Sequence, residues 1–484
     1  MRMRAALAWL SAFLLAMPCP SWAQMALPDL GGTEDASLTP QMERRIGEEV
    51  MADIRAHDPS YLDDAEVTEY MNLLGGRLVA VAPNVRQAFQ FFVIKDPQIN
   101  AFALPGGFIG VNTGLITSSA SESELASVLA HEISHVVQRH IARMVGAQEK
   151  MQIPMIAAMV AAILLGQSHP DLAAGAATAV QGAAVQSQLS YTRSFEREAD
   201  RVGFQILASA GFDPRAMAAF FEKLQRASTV GDDGSVPGYL RTHPMSIERM
   251  TDAQNRAANL PYKQIPDSLD YRLVRAKLRA DDGDAHDAVA YFNGLLRDGR
   301  YASEVATRYG LARAELRNRQ VDAAQAEVAR LRAEKATSSM IETLAADVRS
   351  AAGDNAGALA ILDAARAKYP QHRAVLYAYV ETLETLGRND QALATLKEPL
   401  RLYRSDSELR VLEAKAYAGL GKHLQQHMAQ AEVYVLRGSL PAAIEQLEIA
   451  RRAGDGDFYQ LSQVDARLRD LRAQHQQEMR DKRR

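Results

Sequence analysis

The sequence holds one cysteine in 484 residues, Cys19, close to the N-terminus. An intrachain disulfide is therefore excluded, and a thiol nucleophile in the body of the chain is excluded with it. Aromatic residues are scarce at 6%. The abundance of Ala, Leu, Arg and Glu in their place favours a largely helical protein. No sign of charge dominates: the net charge is −4, so there is no basic excess of the kind that marks a nucleic-acid partner. Long hydrophobic runs are also missing. The longest beyond the N-terminal segment, Ile153 to Gly166, is broken early by Pro154 and is short for a membrane span. A chain of this length has room for two or three domains and an ample core.

The first 23 residues read as a secretory signal. Met1-Arg2-Met3-Arg4 is a charged start, Ala5 to Met17 a short apolar core, and Ser21-Trp22-Ala23 a small-residue cleavage site before Gln24. Removal near Ala23 would take Cys19 with it, and a signal of this style predicts a periplasmic protein. Residues 24–40 form a loose polar lead-in. Helical spacing follows at Val67, Tyr70, Met71, Leu74 and Leu78. Phe89 to Ile94 reads as a strand, and Asn100 to Val111 as two short strands around a Pro-Gly-Gly turn. Such a segment can bind an extended peptide by edge addition, or it can be an ordinary hairpin.

The most informative stretch is His131-Glu132-Ile133-Ser134-His135. Four residues along a helix turn about 400°, so both imidazoles leave one face, one turn apart. Such a pair can hold a metal ion, with the glutamate beside it as general base. Ser121-x-x-Glu124 is a capping box, and Leu125, Val128, Leu129, Ile133, Val136 and Val137 make a buried stripe, so the motif lies on an anchored helix. Two histidines leave zinc short of protein ligands. His140 does not fit the extended pattern, which needs Gly at 138 and His at 141 where this chain has Gln138 and Ile141. It is expected at the surface. A better third ligand lies in Phe195-Glu196-Arg197-Glu198-Ala199-Asp200. Here Glu196 and Asp200 share a helix face, with Gly203 beside them, and Glu198 points roughly 160° away from Asp200. Asp200 suits a residue that orients a ligating histidine or handles a proton.

Between these motifs, residues 151–189 are rich in Ala, Met, Ile, Val and Gly. They form either a pair of core helices or an apolar lid or hairpin with peripheral membrane contact. From about residue 268 the texture becomes repetitive. Ala288/Phe292, Ala324/Val328, Ala358/Leu362 and Ala392/Leu396 recur at steps of 36, 34 and 34 residues, the tetratricopeptide period. The phase then slips, with Ala443/Leu447 following 51 residues after Ala392. Such a solenoid offers a concave surface for peptides or partner proteins. The expected organisation is a peptidase domain over 41–262, repeats over 268–465 and a frayed charged tail over 466–484.

His131-Glu132-x-x-His135, followed by Glu196-x-x-x-Asp200 in an E-x-E-A-D setting, resembles the M48 family of zinc metallopeptidases, and Asn100 to Val111 resembles that family's edge strand. The resemblance implies a mainly α protein: an α+β zincin-like domain with a small β-sheet, followed by the α-helical solenoid. It implies one Zn²⁺ held by His131, His135 and Glu196, with Glu132 as catalytic base and Asp200 as proton donor. It also implies a substrate strand at Asn100, Ala101, Phe102 and Ala103. Read alone, His243 in Thr242-His243-Pro244 is a loop histidine. The resemblance implies that it gates the site as a fourth zinc ligand, with Arg249 as a further site residue. The order of signal, M48 domain and repeats is similar to that of periplasmic family members that work in outer-membrane protein assembly. That implies β-barrel proteins as clients and contact between the repeats and the barrel-assembly machinery. The competing expectations are a chaperone or scaffold with a rarely used protease, and an integral-membrane M48 peptidase.

Overall fold

The computed structural model describes residues 38–146, 193–230, 237–258, 265–334 and 336–481. The signal segment, nearly all of the lead-in and the apolar stretch 151–189 lie outside the described residues.

The N-terminal half opens with α1 (Pro40–His57). Its start is fixed by Thr39, whose side chain accepts from the Met42 amide, and by Pro40 at the first helical position. α2 (Ala65–Val79) is capped by Asp64 in the same way. Three strands follow: β1 (Gln90–Ile94), β2 (Ala101–Leu104) and β3 (Phe108–Asn112). The sheet order is β1-β3-β2, with β1 parallel and β2 antiparallel to β3. The hairpin between β2 and β3 turns through Gly106 and Gly107, both at positive φ. A Cβ on Gly106 would lie 2.6 Å from the Arg44 Cα, and one on Gly107 2.4 Å from the Ala88 carbonyl oxygen. Both the dihedrals and the close approach require glycine there.

After α3 (Thr113–Ser118) comes α4 (Glu122–Val137), the helix of the histidine pair. Ser121 accepts from the Glu124 amide, and the Glu124 carboxylate reaches back to the Ala120 amide. Every residue from Glu122 to Val136 is buried. The stripe of Leu125, Val128, Leu129 and Ile133 belongs to the main core with Met71, Leu74, Val111, Val202 and Ile206. α5 (His140–Gly146) folds back from the end of α4 through Arg139, a non-glycine residue at φ 53°. Then come α6 (Arg193–Ser209), α7 (Arg215–Val230), α8 (Gly238–Thr242) and α9 (Ile247–Ala258). α6 lies directly on α4 because Gly203 has no side chain. A Cβ there would sit 3.1 Å from the His131 amide nitrogen.

The C-terminal half is a row of twelve helices, from Leu269–Asp281 to Phe458–Asp481, arranged as six antiparallel pairs among the described residues. The first helices of the pairs start at residues 269, 304, 339, 373, 407 and 440. The period therefore runs on without the slip that the Ala/Leu signature suggests. Ala443 and Leu447 simply lie on the first helix of the sixth pair, whereas the earlier pairs carry that signature on their second helix. The turn inside each of the first five pairs has one residue in the left-handed region: Gly283, Arg319, Gly353, Gly387 and Gly421. The frayed tail expected from residue 466 is corrected. The last helix continues to Asp481, and its Val464, Leu468 and Leu471 are buried against Leu424, Ala431, Leu440 and Leu447. Spacings of four and three residues make those three a stripe, which the surrounding charges obscure.

The two halves share one core, which runs from Val67 through Tyr271 and Tyr309 to Val348. The N-terminal end of α2 faces the first helices of the repeats. Lys277 Nζ pairs with Asp64 at 2.6 Å and with Glu66 at 2.7 Å, and Thr343 donates to Glu66. No helix among the described residues is long and apolar enough to cross a membrane.

Candidate metal centre

The capped α4 presents His131 and His135 with their Nε2 atoms 2.9 Å apart. α6 crosses it and brings Glu196 to 3.6 Å from His131 Nε2 and 3.5 Å from His135 Nε2. The loop after α8 adds His243, whose Nδ1 is 3.0 Å from Glu196 and 3.4 Å from His131 Nε2. All four residues are buried, and one donor atom from each lies within 4.8 Å of all the others. A tetrahedral zinc with bonds of about 2.0–2.1 Å would space its donors roughly 3.4 Å apart, so the set fits such an ion.

Electrostatics point the same way. Burial alone would lower the His131 pKa, but Asp200 and Glu196 outweigh it and push the imidazole up to about 9. Burial would raise Glu196, yet His243 and His131 hold it well below the usual carboxylate range. His135 is driven well below the ordinary histidine value by burial and by its cationic neighbour. Glu132 is fully buried on the same helix, and among the described residues neither of its carboxylate oxygens has a hydrogen bond of good geometry. His243 Nε2 lies 3.5 Å from its Oε1. Burial raises its pKa, which suits a group that must take and return a proton. A buried acceptor without a donor is costly, and a site for water or substrate explains it.

Asp200 lies one turn along α6, with Oδ1 3.0 Å from His131 Nδ1. Arg249 on α9 grips both of its oxygens, at 2.7 and 2.8 Å. The same guanidinium reaches Glu196 Oε2 at 2.6 Å and the Pro244 carbonyl at 2.8 Å. It therefore joins the two carboxylates to the loop of His243. Tyr239 stacks on the His243 ring at 4.5 Å, and its own amide donates to the Ile99 carbonyl at 3.1 Å. The histidine loop is thus pinned to the chain just before β2. Of the expected substrate strand, Asn100 and Ala101 are buried, while Phe102 and Ala103 are half-buried on an edge strand beside α4.

One residue stands where the sequence did not put it. His140, expected at the surface, is fully buried with Nδ1 2.8 Å from His135 Nδ1. Its Nε2 is 3.2 Å from Glu198, which also takes Arg143 at 2.8 Å. Five residues along an unbroken helix would turn His140 about 140° away from His135. The left-handed turn at Arg139 cancels that. Tyr239 and Arg143 were also missed: neither carries a spacing signal, and both are brought in by loops or short helices.

Comparison with known proteins identifies the family. Residues 67–257 match the model for peptidase family M48, and residues 350–416 match a tetratricopeptide repeat model. The β-barrel assembly-enhancing protease of Escherichia coli (strain K12) is 31% identical over 469 residues, which cover 96% of this chain and 95% of that protein.

The chain belongs to peptidase family M48.

A Vibrio cholerae protein of the same description is 33% identical over 317 residues, covering 64% of this chain and 65% of its own length. The mitochondrial metalloendopeptidase OMA1 of Arabidopsis thaliana is 30% identical over 221 residues, covering 46% of this chain and 42% of its own. This M48 chain is therefore a metallopeptidase followed by tetratricopeptide repeats, and its buried His/Glu cluster lies inside the region that matches the family.

Proposed function

We propose that this chain is an exported, zinc-dependent endopeptidase of the periplasm, latent at rest, that acts on outer-membrane β-barrel proteins recruited through its repeats. The observation that carries the peptidase chemistry is the convergence of His131, His135 and Glu196 next to the buried carboxylate of Glu132. The substrate class rests on the near full-length similarity to β-barrel assembly-enhancing proteases.

His131, His135 and Glu196 would hold the zinc, a choice that fits two neutral imidazoles and one carboxylate at tetrahedral spacing. Zinc at this position supplies Lewis acidity, which brings the pKa of a water toward neutrality and polarises a scissile carbonyl. Glu132 takes the proton from the attacking water and passes it to the leaving amine. Asp200, clamped by Arg249, holds His131 Nδ1–H so that Nε2 stays free to ligate. Extended substrate adds to the β2 edge at Asn100–Ala103. His243, whose Nε2 is 3.5 Å from Glu132, would serve as a further zinc ligand and keep substrate and water out until its loop leaves.

The decisive test uses Glu132→Gln and His243→Ala. The first retains one zinc per chain and loses cleavage. The second raises basal or self-cleavage several-fold. Full proteolysis by the Glu132 variant would overturn the assignment of the base, and unchanged cleavage in a folded His243 variant would overturn latency.

A second reading follows from the closed centre. A resting chain that cannot cut still presents a six-pair solenoid, so its main task is to hold clients, with proteolysis kept for those that stall. If clients are still recruited without the residues beyond about 270, this reading fails.

A further inference from the structure

His140 is fully buried, yet it takes no part in the donor set. α4 ends at Val137, and the left-handed Arg139 swings His140 back beneath His135. Arg139 is itself held by Glu43 at 3.2 Å, so the reversal is tied to α1. The His140 ring is then held by a stack on one face. Phe195 stacks on it at 4.6 Å with an angle of 11° between the planes, and Arg143 lies over Phe195.

The hydrogen-bond directions are fixed by what His135 must do. Its Nε2 faces Glu196 and His131, so ligation needs the lone pair there and the proton on Nδ1. That proton points at His140 Nδ1, 2.8 Å away, which must accept. The proton of His140 therefore sits on Nε2 and is donated to Glu198, 3.2 Å away. Arg143 holds the same Glu198 oxygen at 2.8 Å. The two ligand histidines thus have parallel supports. His131 leans on a carboxylate backed by an arginine, Asp200 and Arg249. His135 leans on a carboxylate backed by an arginine through one interposed histidine.

We propose that His140, held by Glu198 and Arg143, is a positioning residue that fixes the tautomer and ring orientation of His135 and so strengthens metal binding at this centre. The proposal rests on the metal reading given above.

Zinc affinity of the full chain, measured by competition with a chromophoric chelator, tests it. The Glu132→Gln background prevents self-cleavage. His140→Phe keeps the stack on Phe195 but removes the acceptor, and zinc affinity should fall about 10–100-fold. His140→Asn places an amide oxygen near the position of Nδ1 and should stay within about threefold of the parent. His140→Gln places its polar group nearer the position of Nε2, so it should bind zinc more weakly than His140→Asn. Equal affinity for the Phe and Asn variants would overturn the proposal. If the Phe variant does not fold, a Gln variant that binds as tightly as the Asn variant overturns it. A parent chain that fails to take up one zinc would instead overturn the metal reading itself.

Discussion

The two halves of this chain share an apolar core but differ in how densely they bury charge. The peptidase half gathers His131, Glu132, His135, His140, Glu196, Asp200, His243 and Arg249 into one buried cluster. The second helices of the first four repeat pairs are instead buried mainly through apolar side chains, as at Ala324/Val328, Ala358/Leu362 and Ala392/Leu396. Buried charge costs free energy unless it is matched by partners, whereas buried leucine stabilises by about 1.5–3 kcal/mol. One half therefore carries a destabilising site on a shared core, and the other is a modular stack in which damage stays local.

The difference is tested most severely by Glu132→Gln. Loss of the base should lower kcat by about 10²–10⁴-fold while melting and zinc content hold. A comparable loss from any single apolar substitution in the repeats would break the contrast. Leu396→Ala in the fourth pair should cost about 2–5 kcal/mol of stability in urea. Cleavage of a short peptide should remain at the parent rate, because Leu396 belongs to a core separate from that of α4. Gly203→Val sits between these extremes. Its side chain would press on the Ala130–His131 backbone, so it should cost about 1–3 kcal/mol and weaken zinc binding together with stability. Arg319→Gly should have the smallest effect. Relief of the left-handed dihedral, worth roughly 1–2 kcal/mol, is partly offset by the entropy of glycine, so the melting point should rise by at most a few degrees.

What the sequence made legible followed the regular geometry of helices. The His131/His135 pair, Glu132 between them and Glu196 with Asp200 all lie on unbroken helices, where spacing fixes direction. The repeat period was legible for the same reason. What stayed hidden depended on a break or on tertiary placement. His140 looked misdirected because helical projection does not apply across Arg139 at φ 53°. Glu198 looked excluded because it faces away from Asp200, and it is the interposed His140 that links it to the site. The last helix was hidden because Val464, Leu468 and Leu471 are set among exposed charges. The apparent phase slip after the fourth pair came from a signature that moves between helices while the helical period continues.

The clasp formed by Arg249 sharpens the account of latency. It binds Asp200, Glu196 and the Pro244 carbonyl at once, so in the proposed latent state opening of the His243 loop would break the last of these contacts. Arg249→Lys, which cannot make the bidentate contact, should loosen the loop and the ligand set together.

A zinc centre closed by His243 would have a distinctive ligand count, which X-ray absorption at the zinc edge reads. The parent chain should show three imidazoles and one carboxylate oxygen around a single zinc, and His243→Ala should show two imidazoles with a light-atom donor from solvent. Two imidazoles in both proteins would contradict closure by His243.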